Sequence, residues 1–132
     1  MRVKVALGIA VCLASSTAYA GDCVKIRNDK DGYDCMKFSR AERNAAANFG
    51  LRLGDSYKTV KHVLGRRGWV VDPGWLKRIF SYTGPLEDGE LICGSGYDAV
   101  CSAAYTKSHK HVYLTLSGTD EETSLIGVAT KP

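Results

Sequence analysis

The chain has 132 residues, 45% hydrophobic and 24% charged, with 18 Lys and Arg against 14 Asp and Glu. That length suits one domain with a modest core, and the formal charge of +4 is too mild to argue for nucleic-acid binding.

Arg2 and Lys4 precede a ten-residue apolar run, 5–14, and Ala18-Tyr19-Ala20 has the small-x-small form of a signal-peptidase site. A transmembrane anchor needs about 20 apolar residues, so residues 1–20 read as a secretory signal. Export to the periplasm or beyond, with cleavage near Ala20, is expected. Cleavage removes Arg2 and Lys4 and no acid, which leaves 16 basic against 14 acidic residues, a charge of +2.

Cys23, Cys35, Cys93 and Cys101 lie beyond that site. An even number in an exported chain favours disulfides. Three pairings are open. The local ones, Cys23–Cys35 and Cys93–Cys101, are preferred because each closes a short, turn-rich loop, contributing on the order of 3 kcal/mol in the chain-entropy model. A redox pair or thiol nucleophile is the functional alternative, but there is no Cys-x-x-Cys. A four-cysteine zinc site lacks its paired ligand spacing.

Asn28 to Cys35 contains Asp29, Asp31 and Gly32, a spacing shared with short calcium loops. An EF-hand register would put Arg27 first and Phe38 last, so two oxygen ligands are missing. A polar turn closed by the disulfide is the favoured alternative.

Ser39-Arg-Ala-Glu42 is a capping box opening a helix to about Phe49, with Gly50 to stop it and Phe38 and Phe49 as anchors. Residues 21–49 thus form a disulfide-closed segment and first helix, and 50–132 the rest of the domain. Leu51 to Leu53 is an extended link. Tyr57, Val60, Val63 and Leu64 then share one side of a second helix, with Lys58, Thr59, Lys61 and His62 on the others. Asp55 or Ser56 can cap its start and Gly65 its end. Arg66 and Arg67 follow at the negative end of its dipole.

After Gly68 the period changes. Trp69-Val70-Val71 leads into an Asp72-Pro73-Gly74 turn. Trp75 to Tyr82 alternates as a strand, with Leu76, Phe80 and Tyr82 on one side and Lys77 on the other. Val100 to Thr106 is a further strand. Val112, Leu114 and Leu116 alternate with polar residues as a half-buried strand. Gly118 to Thr123 makes a hairpin loop, and Leu125 to Thr130 is the last strand, with Ile126 and Val128 facing in. The expected class is α+β: two short helices on one face of an antiparallel three- to four-stranded meander.

Signals for catalysis are weak. His109 and His111 are two apart and can share a face, but no third metal ligand is placed; solvated turn histidines are the favoured account. Gly94-Ser95-Gly96 lacks the Gly-x-Ser-x-Gly frame of a nucleophile elbow. No carboxylate pair is set among apolar residues to raise a pKa. No catalytic residue, cofactor or metal is assigned, and a small exported hydrolase or metal-dependent enzyme is kept as the rival class.

The surface carries more. Lys58, Lys61, His62, Arg66, Arg67, Lys77 and Arg78 gather around the end of the second helix, beside Trp69 and Trp75. Arg and Trp dominate binding hot spots. Lys61, Arg66, Arg67, Trp69, Trp75, Lys77 and Arg78 are therefore the candidate partner-binding rim, facing an acidic protein surface or anionic lipid head groups. The competing account is a solvated helix face with both tryptophans in the core.

Leu51-Arg-Leu-Gly54, Asp55-Ser56, Val60 and Leu64-Gly65 resemble the motif of the BamE/SmpA (OmlA) family, small envelope proteins of Gram-negative bacteria. The resemblance runs from Leu51 to the C-terminus and is specific at the helix. It implies the fold shared with β-lactamase inhibitor proteins (BLIP-like), two helices on a small antiparallel sheet. It also implies a non-catalytic role in binding another envelope protein and anionic lipid. One departure stands out: family members carry a small residue before a lipidated Cys, whereas Val11 precedes Cys12 and Asp22 precedes Cys23. A soluble exported form is expected instead. Within binding, an inhibitor or immunity role like that of the β-lactamase inhibitor proteins is the alternative.

Overall fold

A computed structural model describes residues 23–28, 32–94, 100–118 and 123–131, and the protein is α+β. The chain runs β1 (Val24–Asn28), β2 (Gly32–Met36), α1 (Arg40–Ala47), α2 (Tyr57–Arg66), β3 (Val70–Val71), α3 (Pro73–Phe80), β4 (Ile92–Cys93), β5 (Val100–Lys107), β6 (Lys110–Ser117) and β7 (Ser124–Ala129). β1 and β2 pair as an antiparallel ribbon. The main sheet has five strands: β5, β6 and β7 form the meander, and short β3 and β4 lie end to end along the free edge of β5. It is larger than the expected meander by these two short strands.

Both local disulfides are present. Cys23–Cys35 closes the ribbon, and Cys93–Cys101 joins directly opposed residues of β4 and β5. The proposed signal, residues 1–20, lies outside the described residues. So do Asp29 and Asp31 of the calcium-like loop, and Ser95 and Gly96.

Each helix has an identifiable start. Ser39 accepts from the Glu42 N–H while Glu42 Oε1 accepts from the Ser39 N–H at 2.9 Å, so α1 opens with a complete capping box. The Ser39 backbone bond holds the Glu42 carboxyl below its ordinary pKa. Ser56 caps α2 through the Thr59 N–H. The α2 end differs from expectation: Gly65 sits within the last turn, Arg67 is the cap residue, and Gly68 at φ 88° makes the left-handed exit. An α-helical Gly65 costs backbone entropy, but tertiary packing carries the helix past it.

That packing is the core. Tyr57, Val60 and Leu64 of α2 are buried in one cluster with Cys101, Ala103 and Tyr105 of β5 and Val112, Leu114 and Leu116 of β6. Burying each large aliphatic side chain is worth about 1.5–3 kcal/mol, enough in sum to hold a ten-residue helix that is marginal alone. Ala46 of α1 and the linking Leu51 and Leu53 join the cluster, with Phe38 and Phe49 packed against it.

The strand expected from Trp75 to Tyr82 is instead the helix α3. Asp72 Oδ1 accepts from the Trp75 N–H at 3.0 Å, and Pro73 occupies the first turn, where its missing N–H costs nothing. Leu76, Ile79 and Phe80 then fall at i, i+3 and i+4, a helical spacing that alternation over the same residues disguises. α3 covers the other face of the sheet. Trp75 stacks on His111 at 4.4 Å and Phe80 meets Tyr113 edge-on, and these β6 residues alternate with the core-facing Val112 and Leu114.

β7 carries a second correction. Leu116 pairs with Leu125 while Thr115 pairs with Gly127, so a bulge absorbs Ile126. The bulge resets the alternation. Leu125 is fully buried and Val128 packs on the core, whereas Ile126 is only partly buried.

Candidate basic cleft at the end of the sheet

The end of α2, the β5–β6 turn and the residues after β7 enclose an open groove of about 780 Å³. Phe49 and Trp69 form one wall, edge to face with ring centroids 5.5 Å apart. Arg67, Lys107, Lys110 and Lys131 supply the charge. Among the described residues, no Asp or Glu lines the groove.

Local contacts place two of these cations. Lys107 Nζ donates to the Arg67 carbonyl at the C-terminal end of α2, where the exposed carbonyls carry partial negative charge. Arg67 lies against Gly50: a Cβ there would come within 2.5 Å of the guanidinium carbon. Gly50 also has φ 75°, so a side chain at this position would be both strained and in the guanidinium's place.

The hairpin beside them is under local stress. Lys107 and Lys110 are directly opposed in the β5–β6 ladder. Like charges in that position repel. Ser108 and His109 between them both have positive φ, 48° and 67°, without being glycine. His111, at the rim, is stacked on Trp75 and 3.8 Å from Asp72 Oδ2. The other oxygen of Asp72 caps α3. Among the described residues, no carboxylate lies within ion-pair reach of Arg67, Lys107, Lys110 or Lys131.

The rim expected from sequence is divided by the fold. Arg67 and Trp69 line the cleft. Lys61 faces away, paired with Glu90 at 2.8 Å. Arg66 is exposed on the last turn of α2, outside the cleft lining. Trp75, Lys77 and Arg78 belong to α3 on the opposite face of the sheet. Sequence reading overlooked Lys107, Lys110 and Lys131 as partners of Arg67. Strand pairing brings them together, and the Lys-Ser-His-Lys turn was the available signal.

A second polar group lies beneath α2. The Tyr57 and Tyr105 hydroxyls are 3.0 Å apart in the core. Burial pushes the Tyr57 hydroxyl well above its ordinary pKa, with the neighbouring Tyr105 and Glu90 adding to the shift. Burial likewise pushes Tyr105 up to about 12. Both shifts lead away from neutrality, so each hydroxyl stays protonated at pH 7 and acts here as a hydrogen-bonding group. Among the described residues no three His, Cys, Asp or Glu side chains converge as metal ligands, and no helix is long and apolar enough to cross a membrane.

No family model, curated protein or solved structure matches the chain.

Proposed function

We propose that the protein is an exported, non-catalytic module of the bacterial cell envelope that binds another protein through this cleft, similar in role to BamE/SmpA-type proteins. The observation that carries the proposal is the set of four cations, Arg67, Lys107, Lys110 and Lys131, around one groove that no acid among the described residues lines. Several cations without a carboxylate partner, beside a half-buried aromatic pair, suit a protein-binding hot spot. Two disulfides suit an oxidising compartment, and the signal-like residues 1–20 suit export. α1 and α2 precede the β5–β6–β7 meander, as the family resemblance implies, although β3, α3 and β4 stand between them.

The test is capture from an envelope extract with the wild-type domain and two variants. Arg67→Glu with Lys110→Glu reverses the cleft; Arg78→Glu reverses a cation on the opposite face. Loss of the captured protein with the first variant and retention with the second supports the function. Equal capture by all three removes the cleft from it.

A further inference from the structure

Resting on that binding role, we propose that the occupant of the cleft is an acidic segment of polypeptide, protruding from the partner protein and carrying an apolar or aromatic side chain among its carboxylates.

The charge argument comes first. The Lys107–Lys110 pair and the left-handed Ser108 and His109 are local costs that a turn such as Asn-Gly, flanked by neutral residues, avoids. Costs of this kind persist where function requires them. An anion in the groove removes the repulsion. Arg67, whose guanidinium lies against Gly50, carries a planar fork of donors that suits a carboxylate through two parallel hydrogen bonds. Nothing else among the described residues supplies that carboxylate.

Shape then selects among anions. Arg67 is turned onto Gly50 and Lys107 onto the Arg67 carbonyl, while Lys110 and Lys131 enter from two other segments. The four cations come from four separate segments of the chain, so several carboxylates answer them more fully than one small anion does. The groove is open, whereas a small-molecule site encloses most of its ligand. It is also concave, so a flat lipid surface meets its rim and not its floor. A string of carboxylates on a flexible chain can offer a charge to each of the four cations. The Phe49–Trp69 wall adds an apolar contact next to Arg67, which favours an apolar or aromatic side chain between the acids.

The experiment uses the whole exported chain and a fluorescently labelled nonapeptide of alternating Glu and Tyr. A Lys and Tyr peptide of equal length, inorganic phosphate, and phosphatidylglycerol vesicles serve as the other probes. Expected are saturable binding of the acidic peptide alone, weakening with added salt, and about a tenfold loss with Lys110→Glu. Lys110 is exposed, so this variant tests the cleft without disturbing the core; Lys131→Glu, also exposed, should repeat the loss. Absence of acidic-peptide binding, equal binding by both variants, or vesicle binding in place of peptide binding overturns the proposal. Failure of the wider function reads out separately. If cleft variants abolish capture of the envelope protein but the acidic peptide neither binds nor competes, the binding role stands and the acidic-segment inference falls. If capture ignores the cleft, the role itself falls.

Discussion

In the body of α2, two polar side chains find complements within the protein. Tyr57 meets Tyr105 at 3.0 Å, and Lys61 meets Glu90 at 2.8 Å. At its C-terminal end the pattern inverts. Arg67 lies against Gly50, Lys107 donates to the Arg67 carbonyl, Lys110 and Lys131 line the same groove, and among the described residues no carboxylate does. The same helix therefore serves two purposes. Where its charges and hydroxyls are answered from within, they hold the sheet; where they are left unanswered, they are available to a second molecule. Substitutions at the two ends should separate these purposes, because stability resides in one and binding in the other.

The largest effect should come from below both ends. Leu114 is fully buried under α2. Leu114→Ala leaves a cavity and should cost about 2–5 kcal/mol, read as a lower midpoint in urea unfolding. Next is the Cys93–Cys101 bridge, which pins the short strand just after Glu90. Cys93→Ser with Cys101→Ser should cost about 2.5 kcal/mol in the chain-entropy model and loosen the segment that answers Lys61. Binding at the far end of α2 should survive in conditions where the variant is folded. Loss of binding by the folded variant would show that the two ends are coupled.

Tyr57→Phe sharpens the contrast. It strips the Tyr105 hydroxyl of its buried partner, at a cost of about 1–2 kcal/mol. It also changes the alkaline limb of stability. Both folded-state tyrosine pKa values lie above the ordinary value of 10. Between that value and the folded ones, the unfolded chain releases protons that the folded chain keeps. Stability from these groups is thus whole below pH 10 and drains away as pH rises toward about 12 and beyond. Urea titrations from pH 8 upward should show that decline in wild type and a shallower one in Tyr57→Phe. Equal slopes would place the alkaline sensitivity elsewhere.

Much of the scaffold was legible before the coordinates, and the reasons differ by element. The Ser39–Glu42 box and the Val112–Leu114–Leu116 alternation are local codes, and each formed as written. Asp72-Pro73-Gly74 has the form of a turn because Pro and Gly punctuate chains, yet Asp followed by Pro is equally a cap and first turn. Leu76 and Phe80 fit both periods, and only the docking of Trp75 on His111 shows which one packs. Gly65 was given the role of Gly68 for a similar reason: a glycine's sequence position does not reveal its φ. The bulge at Ile126 depends on pairing with β6 and has no local signature. The cleft was half legible. Arg67 and Trp69 follow a helix whose end is visible in sequence, but Lys107, Lys110 and Lys131 join them only when the meander closes. The helical form of 73–80 then carries Trp75, Lys77 and Arg78 to the other face.

The smallest expected change in stability is at Lys110, and it is the most discriminating. Opposite charges across an antiparallel pair stabilise by roughly 0.2–1 kcal/mol, and like charges cost a similar amount. Lys110→Glu converts the Lys107–Lys110 opposition into an attractive pair at an exposed position. Differential scanning calorimetry should find the variant as stable as wild type, or more stable by a few tenths of a kcal/mol. The same substitution should weaken capture of the partner, since it brings a negative charge into a groove that the described residues line with cations. A gain in stability joined to a loss in binding is the signature of charge retained for a ligand at some expense to the fold. If Lys110→Glu instead lowers stability by more than about 1 kcal/mol, Lys110 serves the hairpin itself. The contrast between the answered and unanswered ends of α2 would then disappear.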